Sequence, residues 1–147
     1  MKLEWDFSDF TNFASRLGDT HEFESALMTA TQNVAKVLHH YLINATPIKT
    51  GNLRKMWSAG DNLAFTVEPF EHGYQVTFIN TARADHKDGF MYGVAVNDGH
   101  RTPDGGGWVM GRFFVEKAIV QTSDNDRLAS LIMAPLRKWW KGCLNGK

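Results

Sequence analysis

The longest regular pattern in the chain does most to fix its fold. Between residues 23 and 45 the apolar positions are Phe23, Ala26, Leu27, Ala30, Val34, Val37, Leu38, Tyr41 and Ala45. Spacings of three and four place them on one face of a helix, and at 3.6 residues per turn the stripe predicts about seven turns. Asp19 with Glu22 three residues later supplies a start signal, and Pro47 a stop. His39 and His40 are adjacent and so point in different directions. A helical metal pair needs a separation of three or four, and both read as partly exposed helix residues.

The rest is arranged around that helix. Phe7, Phe10, Ala14 and Leu17 predict a short amphipathic helix over residues 5–17, closed by Gly18. After Pro47, the run Thr46-Pro47-Ile48-Lys49-Thr50-Gly51-Asn52-Leu53-Arg54-Lys55-Met56-Trp57 predicts a turn and one helical turn. Leu53, Met56 and Trp57 would face inward, with Lys49, Arg54 and Lys55 outside. Residues 63–68 and 74–79 alternate with period two and predict two strands, joined into an antiparallel hairpin by Phe70-Glu71-His72-Gly73. Residues 81–89 read as a loop and 90–96 as a third strand, or as a strand after a short helical turn. A Gly-rich loop follows at about 97–111, then a short helix over 112–121. A last helix capped by Asp124 carries Leu128, Leu131, Ile132, Leu136, Trp139 and Trp140, with Pro135 kinking it or dividing it in two. The expected fold is one α+β domain over 1–147: a long N-terminal helix packed on a small antiparallel β-sheet, with C-terminal helices.

Sixteen basic and sixteen acidic residues in 147 give zero formal charge, unlike a dedicated duplex-DNA binder. The balance hides a gradient. Residues 1–24 hold six acids against two bases, and residues 137–147 hold Arg137, Lys138, Lys141 and Lys147 with no acid. Either the two ends share one fold, or the acidic end of one copy meets the basic end of the next. Cys143 is the only cysteine, so no intrachain disulfide forms. The N-terminus does not read as a signal peptide, and no apolar run reaches the roughly twenty residues of a membrane span. Synthesis in the cytosol is expected.

The stretch Val94–Phe114 gathers Gly, Asp, His and Trp108, residue types that several catalytic templates use. A phosphate loop needs Lys-Ser/Thr after its glycines; here Arg112-Phe113 stands there. Asp98, His100 and Asp104, with Asp85 and His86 upstream, offer hydrolytic metal ligands but not the helical spacing of a metal site. No Gly-x-Ser-x-Gly elbow exists. What remains is an extended loop whose Trp108 is either its own anchor or a contact for a partner.

Two motifs in this order, Thr46-Pro47-Ile48-Lys49-Thr50-Gly51-Asn52-Leu53-Arg54 and Val96-Asn97-Asp98-Gly99-His100-Arg101 continuing to Gly107-Trp108-Val109-Met110-Gly111-Arg112-Phe113-Phe114, resemble a family of tailed-phage neck proteins. These are variously called tail-component, head–tail joining or tail completion proteins, and the resemblance spans residues 23–121. The family often has an acidic residue and an aromatic before the glycine of the second motif, where this chain has Asn97-Asp98; a charge contact there would shift to Asp98 or be lost. The resemblance implies a non-enzymatic virion protein with no metal or cofactor. It implies a homo-oligomeric ring between the head connector or adaptor and the tail tube or tail terminator, with phage DNA passing through unread and no membrane involved. The expected subunit contacts are Asp98, His100, Arg101, Trp108 and Arg112, the basic turn Lys49, Arg54 and Lys55, and the C-terminal cluster Arg137, Lys138 and Lys141. The alternatives are a metal-dependent hydrolase using Asp98, His100 and Asp104, and a small nucleic-acid-binding module using the basic turn and Trp57.

Overall fold

The computed structural model describes residues 1–8, 20–49, 51–57, 65–83 and 92–144. In chain order the elements are β1 (Lys2–Asp6), α1 (Thr20–Ala45), α2 (Asn52–Lys55), β2 (Phe65–Phe70), β3 (Gly73–Phe78), α3 (Gly93–Asp98), β4 (Gly99–Arg101), β5 (Trp108–Met110), α4 (Phe114–Thr122) and α5 (Asn125–Leu144). The class is α+β, with the long helix, the small antiparallel sheet and the C-terminal helices expected from the sequence. Two compact units are formed. The first comprises Met1–Val37, Phe65–Phe78 and Thr122–Lys147; the second comprises Leu38–Ala64 and Ile79–Gln121.

The first unit holds a three-stranded antiparallel sheet in the order β1-β3-β2. Its register pairs Leu3 with Val76 and Val67 with Val76 from the other side. Side chains alternate across a strand. One face therefore carries Leu3, Val67, Tyr74, Val76 and Phe78, and the other Lys2, Glu4, Asp6, Gln75 and Thr77. Val76 and Phe78 are fully buried, and Phe65 lies 5.5 Å from Phe78, ring to ring. The Tyr74 hydroxyl donates to the Glu24 carbonyl at 3.0 Å, joining sheet to α1. Phe23, Ala26 and Leu27 of α1 pack with Leu136 and Trp139 of α5, and Phe23 and Trp139 meet at 4.8 Å. The acidic N-terminal stretch and the basic C-terminal helix thus belong to one unit.

Three expectations are corrected here. Trp5 and Asp6, read as the start of a helix over 5–17, belong to β1; residues 9–19 lie outside the described set. Lys2-Leu3-Glu4-Trp5-Asp6 alternates with period two, and β3 supplies the partner. Conversely, of the strand expected over 90–96, residues 93–96 belong to the helix α3, with Val94 outward and Asn97 inward; residues 90 and 91 lie outside the described set. A short apolar run does not by itself distinguish strand from helix. Finally, of the kink or the division expected at Pro135, the division does not occur: α5 is one helix through it.

In the second unit α1 ends at Ala45, where the Thr46 hydroxyl donates back to the Leu42 carbonyl. The same hydroxyl accepts the Trp57 indole N–H at 2.8 Å, and His39 Nε2–H donates to the Trp57 carbonyl at 2.8 Å. Gly51 begins α2 at φ 78°, a left-handed conformation that glycine adopts without strain. Asn80 Nδ2 donates to the Leu53 carbonyl at 2.8 Å, and its Oδ1 accepts the Ala82 N–H. Leu53 and Trp57 are buried, as their spacing predicted.

Candidate functional site: the hairpin and its root

The two sequence motifs meet in the second unit. A Cβ placed on Gly93 would lie 3.5 Å from Leu53 Cδ1, so the first motif packs directly on α3. Trp57 meets Phe114 edge-on at 6.4 Å, at the entry to α4. Leu53 and Trp57 therefore form a platform, and α3 and α4 stand on it with the Gly-rich stretch between them.

That stretch is folded. Gly99–Arg101 pairs antiparallel with Trp108–Met110, so that Arg101 opposes Trp108, His100 opposes Val109 and Gly99 opposes Met110. Thr102 closes the turn: its N–H donates to the Gly107 carbonyl at 3.0 Å and its Oγ1 accepts the Gly107 N–H at 2.9 Å. Asp104 Oδ1 accepts the Gly106 N–H. Hydrogen bonds from Thr102 and the Gly106 N–H hold the Asp104 carboxyl below its ordinary pKa.

Glycine is required at the root. Gly99 has φ 93°, and a Cβ there would come within 2.6 Å of the Val109 carbonyl and 3.0 Å of Trp108 Nε1. The Trp108 indole thus reaches over Gly99 on its own hairpin, yet the residue stays 59 % exposed. A Cβ on Gly111 would run into the backbone of Asn97 and Asp98. The two arms leave the unit side by side, tied by Arg112 N–H to Val96 O and Phe113 N–H to Asn97 O, each 3.0 Å.

Asn97 is the peg of the root, only 7 % exposed. Its Oδ1 accepts the Val115 N–H at 3.0 Å, capping α4 from a different segment. Phe113, which precedes α4 at φ 50°, has no side-chain acceptor to do this. Asn97 Nδ2 donates to Asp98 Oδ1 at 2.6 Å and to both Glu116 carboxylate oxygens at 3.1 Å.

Asp98, His100, Arg101, Trp108 and Arg112 are gathered on the hairpin and its root, all exposed. His100 Nδ1–H donates to the Ala95 carbonyl at 3.3 Å. Lys49 and Lys55 are exposed; Arg54 is half-buried and donates to Asn44 Oδ1 at 3.0 Å. Arg137, Lys138 and Lys141 are exposed on α5, in the other unit, and Lys138 lines an open groove with His21, Glu22 and Ser25 of α1. Among the described residues no three His, Cys, Asp or Glu side chains converge as metal ligands would; Asp85 and His86 lie outside them. Trp57, 5 % exposed and bonded through its indole N–H, offers no face for stacking on a base. The sequence marks Asn97 only as a departure from the family pattern and does not mark Glu116; their roles depend on a contact between segments nineteen residues apart.

The platform and the foot of the hairpin fall within a region, residues 8–99, that matches the family described as "Bacteriophage HK97-gp10, putative tail-component". The chain belongs to this family. The match starts earlier than the resemblance read from the motifs and stops at Gly99, leaving most of the hairpin, α4 and α5 outside it. No curated protein and no solved structure matches the chain. As a member, the chain is a structural component of the phage tail, part of the virion and in contact with other virion proteins. No helix among the described residues is long and apolar enough to cross a membrane.

Proposed function

We propose that this tail component is a ring-forming head–tail joining or tail completion subunit, seated at the neck between the head connector or adaptor and the tail tube or tail terminator. Phage DNA passes through the ring without being read, and the subunit is made in the host cytoplasm and incorporated during assembly. The observation that carries this reading is the hairpin. Its outward strand Trp108-Val109-Met110 is exposed along its whole length, with Met110 72 % exposed. Three large apolar residues exposed in succession form a patch of the kind that marks a protein contact. Arg101 and Arg112 flank it, and aromatic residues and arginine are the types enriched at subunit contacts.

Electron microscopy of particles made without the protein tests the reading. Filled heads and finished tails left unjoined are expected; normal joined virions would refute it. Particles carrying Trp108→Ala with Met110→Ser should show the same defect while the purified variant keeps its fold.

A further inference from the structure

Two exposed surfaces of the chain have complementary character. On α5, Ile132, Leu136, Trp139 and Cys143 pack inward. Met133, Trp140 and Leu144 form a second stripe with Arg137 among them, since residues 133, 137, 140 and 144 recur on one helical face. All four are exposed, Trp140 by 40 % with its ring also against Trp139. The stripe is apolar and basic.

The other surface is apolar and acidic. Val94 and Asp98 lie one turn apart on α3, and Glu116 and Val120 one turn apart on α4. Val94 and Val120 are both more than two-thirds exposed. Buried Asn97 donates to both carboxylates and so fixes Asp98 and Glu116 as neighbours at the surface. Among the described residues neither carboxylate meets a cation, and neither Arg137 nor Lys141 meets an acid.

We propose that the α5 stripe of one copy docks on the α3–α4 face of the next. Met133 would cover Val120 and Leu144 would cover Val94, and Arg137 would reach the carboxylates that Asn97 holds in place. A guanidinium fits such a preset acidic pair better than an ammonium does. The two surfaces differ, so the contact is head-to-tail and propagates into a ring rather than stopping at a dimer. This inference rests on the ring reading and names the surfaces that build it.

Disulfide trapping in assembled particles tests it. In a Cys143→Ser background, Val120→Cys and Met133→Cys are combined in one chain and the particles mildly oxidised. A ladder of covalent oligomers beyond the dimer is expected, absent from either single-cysteine chain. Arg137→Glu, at an exposed position, should lower incorporation at least roughly tenfold, and Asp98→Arg in the same chain should restore it. A ring visible at the neck with no ladder, a ladder that stops at dimers, or Arg137→Glu without effect overturns this contact and leaves the ring reading standing. Absence of the protein from the neck of wild-type particles overturns both.

Discussion

Asn97→Ala should loosen the hairpin without touching it. The substitution removes the acceptor for the Val115 N–H at 3.0 Å, the cap on α4; loss of such a cap costs about 1 kcal/mol. It also removes the amide that donates to Glu116. A bond to a carboxylate contributes more than a neutral one, but Glu116 is exposed, so screening reduces this loss to about 1 kcal/mol. The sum, about 2 kcal/mol, corresponds to a fall in Tm of about 4–8 °C for a chain of this size. The isosteric N97D separates the two roles. It keeps the acceptor for Val115 but exchanges the donor for a third carboxylate between Asp98 and Glu116. Those like charges raise the introduced carboxyl's pKa in the folded state. The stability this group supports is therefore present at acid pH and lost as pH rises through the raised folded value. N97D should thus be the less stable variant at pH 7, and its deficit should shrink as pH falls toward about 4. Urea unfolding at several pH values measures this, with hydrogen exchange at Phe113 and Val115 as a local readout. Two variants within about 0.5 kcal/mol of wild type, with no pH trend between them, would refute the role given to Asn97.

Gly99→Ala forces a Cβ within 2.6 Å of the Val109 carbonyl at positive φ, whereas Gly105→Ala, at φ 70° with nothing within 4 Å, meets only backbone strain. Urea unfolding should give a loss of about 1 kcal/mol for Gly105→Ala and clearly more for Gly99→Ala; equal losses would count against the close approach at the root. Trp57→Phe removes the indole donor to Thr46 and should cost about 1–2 kcal/mol in thermal unfolding, while any DNA affinity stays unchanged. In an NMR titration Asp104 should protonate below the ordinary aspartate value of 3.8. A depressed carboxyl pKa contributes stability above the unfolded value and loses it as pH falls through the folded one. The turn at residues 102–107 should therefore loosen only in acid, and a midpoint at or above 3.8 would contradict its hydrogen bonds.

Legibility followed the range of the interactions. Helix α1 was readable because its stripe repeats over more than twenty residues, and the structure buries Phe23, Ala26, Leu27, Ala30, Val34 and Leu38 from it. The β2–β3 hairpin was readable because alternation and a short polar link lie side by side, though the turn is the two residues Glu71-His72. Strand β1 was missed because its partner is far along the chain, with Lys2 opposite Thr77. Its own alternation was present but competed with the helical spacing of Phe7, Phe10 and Ala14.

The sequence alone determined the α+β class, the long helix and the motif pair by which the phage tail family was read. Periodicity and turn chemistry are local properties, and they survive in a string of letters. Only the tertiary structure decided what the Gly-rich stretch is. Four close approaches convert a presumptive loop into a hairpin: Trp108 over Gly99, Gly111 against Asn97, Arg112 bonded to Val96 and Phe113 bonded to Asn97. Each joins residues 9–16 apart, a separation at which no single-residue preference announces a partner. The same holds for Asn97, a polar residue in an apolar run, whose amide has a purpose only once α4 has been brought beside it.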